Sequence, residues 1–189
     1  MGVTIHGLSL PVSAAVLNSL ADCQGEVAVI GFEAEPGRDL HATDAATWQE
    51  LVATLRAAFF AIRSAAQRFG EQGGSIVVVV PAHALRTSRG CGIAAIGGSF
   101  MVTVAQVAAV EFGERGIRVN VVAVGPLEGS VPARTLDAIP MGRLAQPKDV
   151  GNACRMLASP DAAHVTGAII PVDGGYVITK AVGGSPFAI

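Results

Sequence analysis

The sequence Ser99-Phe-Met-Val-Thr-Val-Ala-Gln-Val-Ala-Ala-Val-Glu-Phe112 is followed, one turn later, by Arg118-Val-Asn-Val-Val-Ala-Val124. In the first segment the polar side chains Ser99, Thr103 and Gln106 lie on one narrow helical stripe, and most of the remaining surface is apolar. A helix that covers a single core needs an apolar stripe of only about 100°, so this helix is expected to be buried on two sides. The second segment is a β-branched run without alternation, which is typical of a parallel strand covered on both faces. Together the two segments predict a helix-strand unit of an α/β sheet.

The composition favours a single domain over residues 1–189, because this length and a hydrophobic content of 51% suffice for one core. Lys and Arg number 13 against 15 Asp and Glu, without a basic cluster, so we expect no nucleic-acid partner. The three cysteines are widely spaced and contain no C-x-x-C, which fits neither a disulfide framework nor a zinc site. The histidines His6, His41 and His164 are scattered without metal-ligand spacing, so no metal site is expected.

The location is expected to be cytoplasmic. The N-terminus shows no basic segment followed by an apolar run, and apolar runs such as Ile76 to Val80 are far below the roughly 20 residues that span a bilayer. No targeting signal or membrane anchor is therefore predicted.

Hydrophobic patterning predicts alternating strands and helices along the chain. The strands are expected at residues 3–6, 26–32, 75–80, 118–124 and 168–172, and the helices at 11–23, 47–69, 94–112 and 147–159. Thr47 and Glu50 have the spacing of a capping box at the start of the second helix. Strands that alternate with helices favour a doubly wound parallel sheet of about five strands. Because an unpaired strand would leave its backbone groups without partners, we expect residues 3–6 directly beside 27–32.

Ligands of such sheets bind beyond the carboxyl ends of the strands, beside Gly-rich turns. The strand-loop junctions that begin at Phe32, Pro81 and Gly125 carry no G-x-G-x-x-G followed by a helix. The sequence therefore predicts no cradle for a dinucleotide phosphate.

The order of several short motifs resembles the short-chain dehydrogenase/reductase family from about Glu26 to Gly175. The resemblance is carried by turn and strand motifs, namely Gly73-Gly-Ser-Ile-Val, Glu111-x-x-x-x-Gly-Ile-Arg-Val-Asn120, Ile139-Pro-Met-Gly-Arg-Leu144, Pro147-Lys-Asp-Val150 and Val165-Thr-Gly167 to Val172-Asp-Gly-Gly175. It implies a Rossmann-like fold, because these residues are mostly scaffold.

The same resemblance implies where the family's catalytic groups would lie. The family's Tyr and the Lys four residues later fall on Ala94 and Gly98, its Ser falls on Pro81, and its Asn falls on Leu55. None of these replacements can transfer a proton. Only one strand and one helix precede residues 26–32, so the resemblance implies a truncated fold without the Gly-rich cofactor turn. We expect this chain to bind no cofactor and NAD to be bound by a partner subunit.

Two other groups of residues are candidate sites. Tyr176-Val-Ile-Thr-Lys180 reads as Y-x-x-x-K, but it follows the last strand in a β-branched segment, so a structural role is preferred. The loop from Pro81 to Gly92 carries His83, Arg86, Ser88 and Cys91, which could assemble a nucleophile and a base. A solvated loop is the preferred interpretation there, and ligand binding by this loop stays open.

The function expected from the resemblance is that of a pseudoenzyme, not an enzyme: a non-catalytic subunit that supports a full-length, active short-chain dehydrogenase in a hetero-oligomer such as a heterotetramer. Such subunits occur in heteromeric hydroxyacyl-CoA dehydrogenases, as in anaerobic toluene degradation. The partner is expected to pack against apolar residues of the helices at 47–69 and 94–112, namely Leu55, Phe59, Ile62, Phe100, Met101, Val104, Val107, Ala108 and Phe112. An enzyme of unrelated chemistry on the same scaffold and a ligand-sensing regulator are the alternatives.

Overall fold

The computed structural model describes residues 2–34, 39–129 and 133–179. Their five strands form one parallel sheet in sequential order: β1 (Gly2–His6), β2 (Glu26–Gly31), β3 (Gly74–Pro81), β4 (Ile117–Val124) and β5 (Ile169–Val172). The predicted α/β fold with a five-stranded parallel sheet is confirmed. β1 pairs directly with β2, with Val3 opposite Val27 and His6 opposite Ile30, as the need to pair its backbone groups predicts.

Four long helices cover the two faces of the sheet: α1 (Leu10–Leu20), α2 (Ala45–Phe69), α3 (Gly92–Phe112) and α4 (Pro147–Ala158). Helices α2 and α3 pack on one face, where Ile62 and Met101 meet Ile30 of β2 in one apolar cluster. Helices α1 and α4 pack on the other face, where Val16 and Leu157 join a second cluster. Because successive strand residues point to opposite faces, a strand covered on both sides is apolar over most of its length, as residues 76–80 of β3 and 121–124 of β4 are.

The start of α2 differs from the predicted capping box at Thr47. The Asp44 side chain accepts a hydrogen bond from the Thr47 backbone N–H at 2.8 Å, and Asp44 is the N-cap residue. The helix therefore begins at Ala45, because the earlier carboxylate satisfies a free N–H of its first turn.

Helix α3 is the most apolar of the four long helices. The segment Gly92–Arg115 has a mean hydropathy of 1.9, so it is long and apolar enough to cross a membrane by length and composition alone. Half of its most apolar stretch, however, is buried against the rest of the chain. Single polar residues interrupt this segment, so the sequence does not show it as one uninterrupted apolar run. Its packing beside β3 and β4 is that of a core helix.

Candidate functional site

The segments that follow β3 and β5 come together at the carboxyl edge of the sheet. The rings of His83 and Tyr176 lie edge to face, with centroids 6.3 Å apart. Arg86 donates to the Tyr176 backbone carbonyl, and its guanidinium carbon lies 5.0 Å from the centre of the Tyr176 ring. We call His83, Arg86, Ser88, Cys91 and Tyr176 the His83 cluster.

A thiol lies against the imidazole in this cluster. Cys91 immediately precedes α3, and its Sγ atom lies 3.5 Å from Nε2 of His83 and accepts a hydrogen bond from Ser88 Oγ at 3.1 Å. Cys91 is only 7% exposed, and His83, Arg86 and Ser88 are half-buried. The interpretation of these residues as a solvated loop is therefore wrong, because the short turn at Ala82–Ala84 folds them back toward α3.

Burial determines the protonation states in the His83 cluster. It lowers the pKa of His83, and the Nδ1 atom of this ring is buried without a hydrogen-bond partner among the described residues. Burial also raises the pKa of Tyr176, an effect that the positive charge of Arg86 opposes. At neutral pH the cluster therefore holds a neutral imidazole and a protonated phenol.

Tyr176 is held by the turn that ends β5. The Asp173 carboxylate accepts hydrogen bonds from the backbone N–H groups of Gly175 at 2.9 Å and Val177 at 2.7 Å. Gly174 and Gly175 have φ values of 60° and 92°, a left-handed conformation that favours glycine. Tyr176 thus lies in a turn and not on a helix, as the structural interpretation of Tyr176-x-x-x-Lys180 predicts, whereas Lys180 falls outside the described residues.

The four positions that the resemblance assigns to catalytic groups lie in or beside the core. Leu55 belongs to the apolar cluster beneath α2, Ala94 is buried in α3, and Pro81 ends β3. A Cβ atom at Gly98 would lie 2.8 Å from Cβ of Ala84, so a longer side chain there requires the backbone to shift. The polar groups of this region come instead from the His83 cluster.

The predicted partner-facing residues fall into three groups. Phe59, Phe100 and Val107 are exposed. Val104 and Phe112 are half-buried against the core of this chain. The other four point inward and contact the sheet side of their helices, so they are unavailable to a partner: Leu55, Ile62, Met101 and Ala108.

The turn between β1 and α1 does not fit a dinucleotide diphosphate. Its one glycine, Gly7, lies so close to the Gly31 carbonyl that a Cβ atom there would clash, and the Leu8 side chain packs over Gly31. The chain's own atoms thus occupy the space between Gly7 and Gly31, and the turn lacks the Gly-rich sequence of a phosphate-binding turn. Within the described ranges, no group of three or more metal-ligating side chains comes together either.

A shallow cleft of about 550 Å³ lies beside the Pro81 to Gly92 loop, between Leu40 and the first turn of α3. Arg89 and Asp39 form an ion pair at its rim, with 3.4 Å between Nη2 and Oδ2. The sequence does not predict this cleft, because the residues that form its two walls are about 50 positions apart along the chain.

Comparisons with known proteins agree on one family. A family model described as Enoyl-(Acyl carrier protein) reductase matches residues 12–177. The 2,5-dichloro-2,5-cyclohexadiene-1,4-diol dehydrogenase LinX of Sphingobium indicum is 30% identical over 172 residues, which cover 86% of this chain and 66% of the relative. The (3R)-3-hydroxyacyl-CoA dehydrogenase of Canis lupus familiaris is 34% identical over 139 residues, which cover 68% of this chain and 54% of the relative. This chain thus spans less than two thirds of either relative's length.

Solved structures support the fold. The short-chain dehydrogenase/reductase from Serratia marcescens BCRC 10948 matches with a TM-score of 0.82 at 18% identity, covering 93% of this chain and 97% of that chain. At this level of identity the match concerns the fold alone.

The names of the relatives overturn one expectation. The prediction that this chain is not an enzyme is wrong, because the family model describes a reductase and the similar proteins are named dehydrogenases. The class that these comparisons indicate is an oxidoreductase. The family's four catalytic residues are replaced in this sequence by Leu55, Pro81, Ala94 and Gly98. These replacements do not by themselves define the class of protein.

Proposed function

Because this chain belongs to the short-chain dehydrogenase/reductase family, we propose that it is a subunit of an oligomeric oxidoreductase and pairs, through α2 and α3, with a full-length short-chain dehydrogenase chain. In this assembly the second chain supplies the nicotinamide cofactor and the family's Tyr and Lys. The assembly of the two chains is the oxidoreductase.

The observation that carries the proposal is an apolar surface on two neighbouring helices. On α3 the exposed side chains Ile96, Phe100, Val107 and Val110 recur every three to seven residues and so share one face. On α2 the exposed residues Val52 and Phe59 are seven residues apart, and the exposed Phe60 packs edge to face against Phe59. We call these seven residues the apolar face.

An apolar face of this kind is unusual on a soluble monomer. Val110, near the C-terminal end of α3, is 80% exposed, although a valine loses about 1.5–3 kcal/mol of favourable transfer energy when it stays in water. Contiguous exposed apolar patches commonly mark protein interfaces, and permanent interfaces are the most apolar ones. The face therefore favours a lasting contact over a transient one.

A second short-chain dehydrogenase chain suits this face better than a second copy of this chain. The β1–α1 turn of this chain lacks the Gly-rich sequence that holds a diphosphate, and Ala94 and Gly98 leave the family's proton transfer without a donor on α3. A homo-oligomer would repeat both features in every subunit. A relative with an open Gly-rich turn would supply what they lack, and its own long helices would present the matching surface.

The substrate proposed for the assembly is a secondary alcohol of the hydroxyacyl-CoA class, which NAD oxidises to the ketone. The names of the relatives support this choice, since one is a hydroxyacyl-CoA dehydrogenase and another acts on a cyclic diol. Hydroxyacyl-CoA oxidation in anaerobic toluene degradation is the narrower setting that we propose, in a cytoplasmic location.

The test is co-expression with the short-chain dehydrogenase encoded nearest to this chain in its own genome, followed by light scattering and an assay of NAD reduction with 3-hydroxybutyryl-CoA. We expect one complex that contains both chains and is more active than the dehydrogenase alone. Val110→Glu places a charge on the apolar face and should weaken assembly at least about 30-fold, as for interface residues worth 2 kcal/mol or more. Met156→Glu is the matched control, because Met156 is an exposed apolar residue of α4, on the opposite side of the sheet.

Two results would overturn the proposal. One is a chain that stays monomeric beside the dehydrogenase and leaves its activity unchanged. The other is a homo-oligomer that Val110→Glu dissociates and that takes up no dehydrogenase, which would make the occupant of the apolar face a second copy.

A further inference from the structure

The three cysteines of this chain occupy three different environments. Cys154 is fully buried in apolar surroundings, which raise the pKa of its thiol to about 12. Cys23 is half-buried near the end of α1, where burial raises the pKa of its thiol as well. Cys91 is buried too, but it lies against the polar atoms of His83 and Ser88.

His83 is placed to remove the proton of the Cys91 thiol. Its Nε2 atom lies 3.5 Å from Sγ, a contact distance for a bond that involves sulfur. Burial lowers the pKa of His83, so the ring is neutral at neutral pH and one nitrogen carries a free lone pair. With the ring proton on Nδ1, the Nε2 atom accepts the thiol proton, which is the arrangement of a base beside a nucleophile.

Two further features stabilise negative charge on the sulfur. Ser88 donates its hydroxyl proton to Sγ across 3.1 Å. Cys91 is also the N-cap residue of the 21-residue helix α3, where its side chain makes no capping hydrogen bond but lies near the positive end of a long helix. Cysteines activated in proteins combine these same elements, a helix start and a neighbouring histidine.

We propose that Cys91 is a redox-reactive thiol that hydrogen peroxide oxidises to a sulfenic acid, with His83 as the base. His83 takes the thiol proton, and the sulfur attacks one oxygen of the peroxide. The S–O bond forms as the O–O bond breaks, and the leaving hydroxide takes the proton from His83 to become water. The sulfur is oxidised and the peroxide is reduced, and a thiol reductant reverses the change.

The burial of Cys91 restricts the oxidants that can reach it. Because the residue is only 7% exposed, we expect a small oxidant such as hydrogen peroxide to reach the sulfur more readily than a large alkylating reagent. Exposure alone would make Cys23 the most reactive thiol, since it is the one cysteine in an intermediate environment. Activation by His83 instead predicts that Cys91 reacts faster than Cys23. Comparing the two cysteines in one protein therefore distinguishes activation by His83 from exposure.

The test exposes the intact chain to hydrogen peroxide for timed intervals and then alkylates the surviving thiols with iodoacetamide in urea. Trypsin separates the cysteines into peptides 1–38, 90–115 and 149–155, so mass spectrometry measures each loss independently. We expect Cys91 to be lost at least about tenfold faster than Cys23, and Cys154 to persist. His83→Gln should slow the loss of Cys91 about tenfold or more, and Ser88→Ala should slow it less.

The unmodified protein alone can refute the proposal. Loss of Cys91 at the rate of Cys23 or below would overturn it, whether or not the variants fold. Circular dichroism of His83→Gln checks folding, and an unchanged Cys91 rate in a folded variant would also overturn the assignment of His83 as the base. Restoration of Cys91 by dithiothreitol is expected for a sulfenic acid, and its failure would contradict the reversible step.

Discussion

Replacing Asn120 with alanine should loosen the edge of the sheet that carries the His83 cluster. Asn120 lies on β4 and is fully buried. Its amide Nδ2 donates to the Val165 carbonyl at 2.8 Å, and its Oδ1 accepts from the Ala168 backbone N–H at 3.0 Å. These two bonds tie β4 to the segment that enters β5, and β5 leads directly into the turn that positions Tyr176.

The expected cost follows from those two bonds. Alanine removes both, and Val165 keeps only the longer contact from Arg118 at 3.3 Å, whereas the Ala168 N–H loses its partner. At about 0.5–1.5 kcal/mol for each bond, and more where a group is left unsatisfied, the free energy of unfolding should fall by about 2–3 kcal/mol. For a chain of this length that corresponds to a decrease in Tm of about 4–12 °C.

Urea denaturation followed by circular dichroism measures the free energy, and hydrogen exchange localises the change. Exchange should accelerate in residues 165–176 and stay unchanged in β1 and β2. Asn18→Ala is the control, because Asn18 is an exposed residue of α1 and should change stability by less than about 0.5 kcal/mol. A loss below 1 kcal/mol for Asn120→Ala, or faster exchange spread evenly over the sheet, would refute the reasoning.

Two further substitutions test the packing and the electrostatics. A Cβ atom at Gly97 would lie 2.6 Å from Cε1 and 2.8 Å from Cε2 of the buried Phe32 ring. Gly97→Ala should therefore lower the free energy of unfolding, measured in urea, by about 1–2 kcal/mol. Adding Phe32→Leu to this variant should restore part of that loss, because the smaller side chain leaves room for the methyl group. Hydrogen bonding from Arg143 holds the pKa of Asp149 below its usual range. The contact therefore contributes its full stability above the ordinary pKa of a carboxyl group, and this contribution is lost as the pH falls through the lowered pKa of Asp149. Asp149→Asn should therefore lower the urea midpoint at neutral pH, and the difference from the unmodified protein should shrink in acid.

Most of the fold follows from local patterns in the sequence. The β-branched runs of β3 and β4 contain no alternation, and only a strand covered on both faces can bury every side chain of such a run. The neighbour of β1 also follows, because a strand must pair its backbone groups. The starts of helices are less certain, since Asp44 and Thr47 both offer a cap and only the folded turn selects Asp44.

The apolar face shows where periodicity stops being informative. When a helix is apolar on nearly all sides, as α3 is, the spacing of its residues does not say which side meets the sheet. Met101 and Ala108 turned out to face the core, whereas Phe100 and Val107 face outward. That choice depends on how the helix rotates against β3 and β4, which is a property of packing.

Tertiary structure alone adds Tyr176 to the His83 cluster. The other four members come from one loop, with His83 and Cys91 eight residues apart, but Tyr176 is 90 residues away from Arg86 and no local pattern relates it to that loop. Parallel strands bring their carboxyl ends to one edge, so the loops after β3 and β5 meet only once the sheet has formed. The sequence by itself therefore determined the strands, the layers and the family of this protein. The folded sheet decided which of its polar side chains share a site, because the long-range contacts of a parallel sheet exist only in the assembled structure.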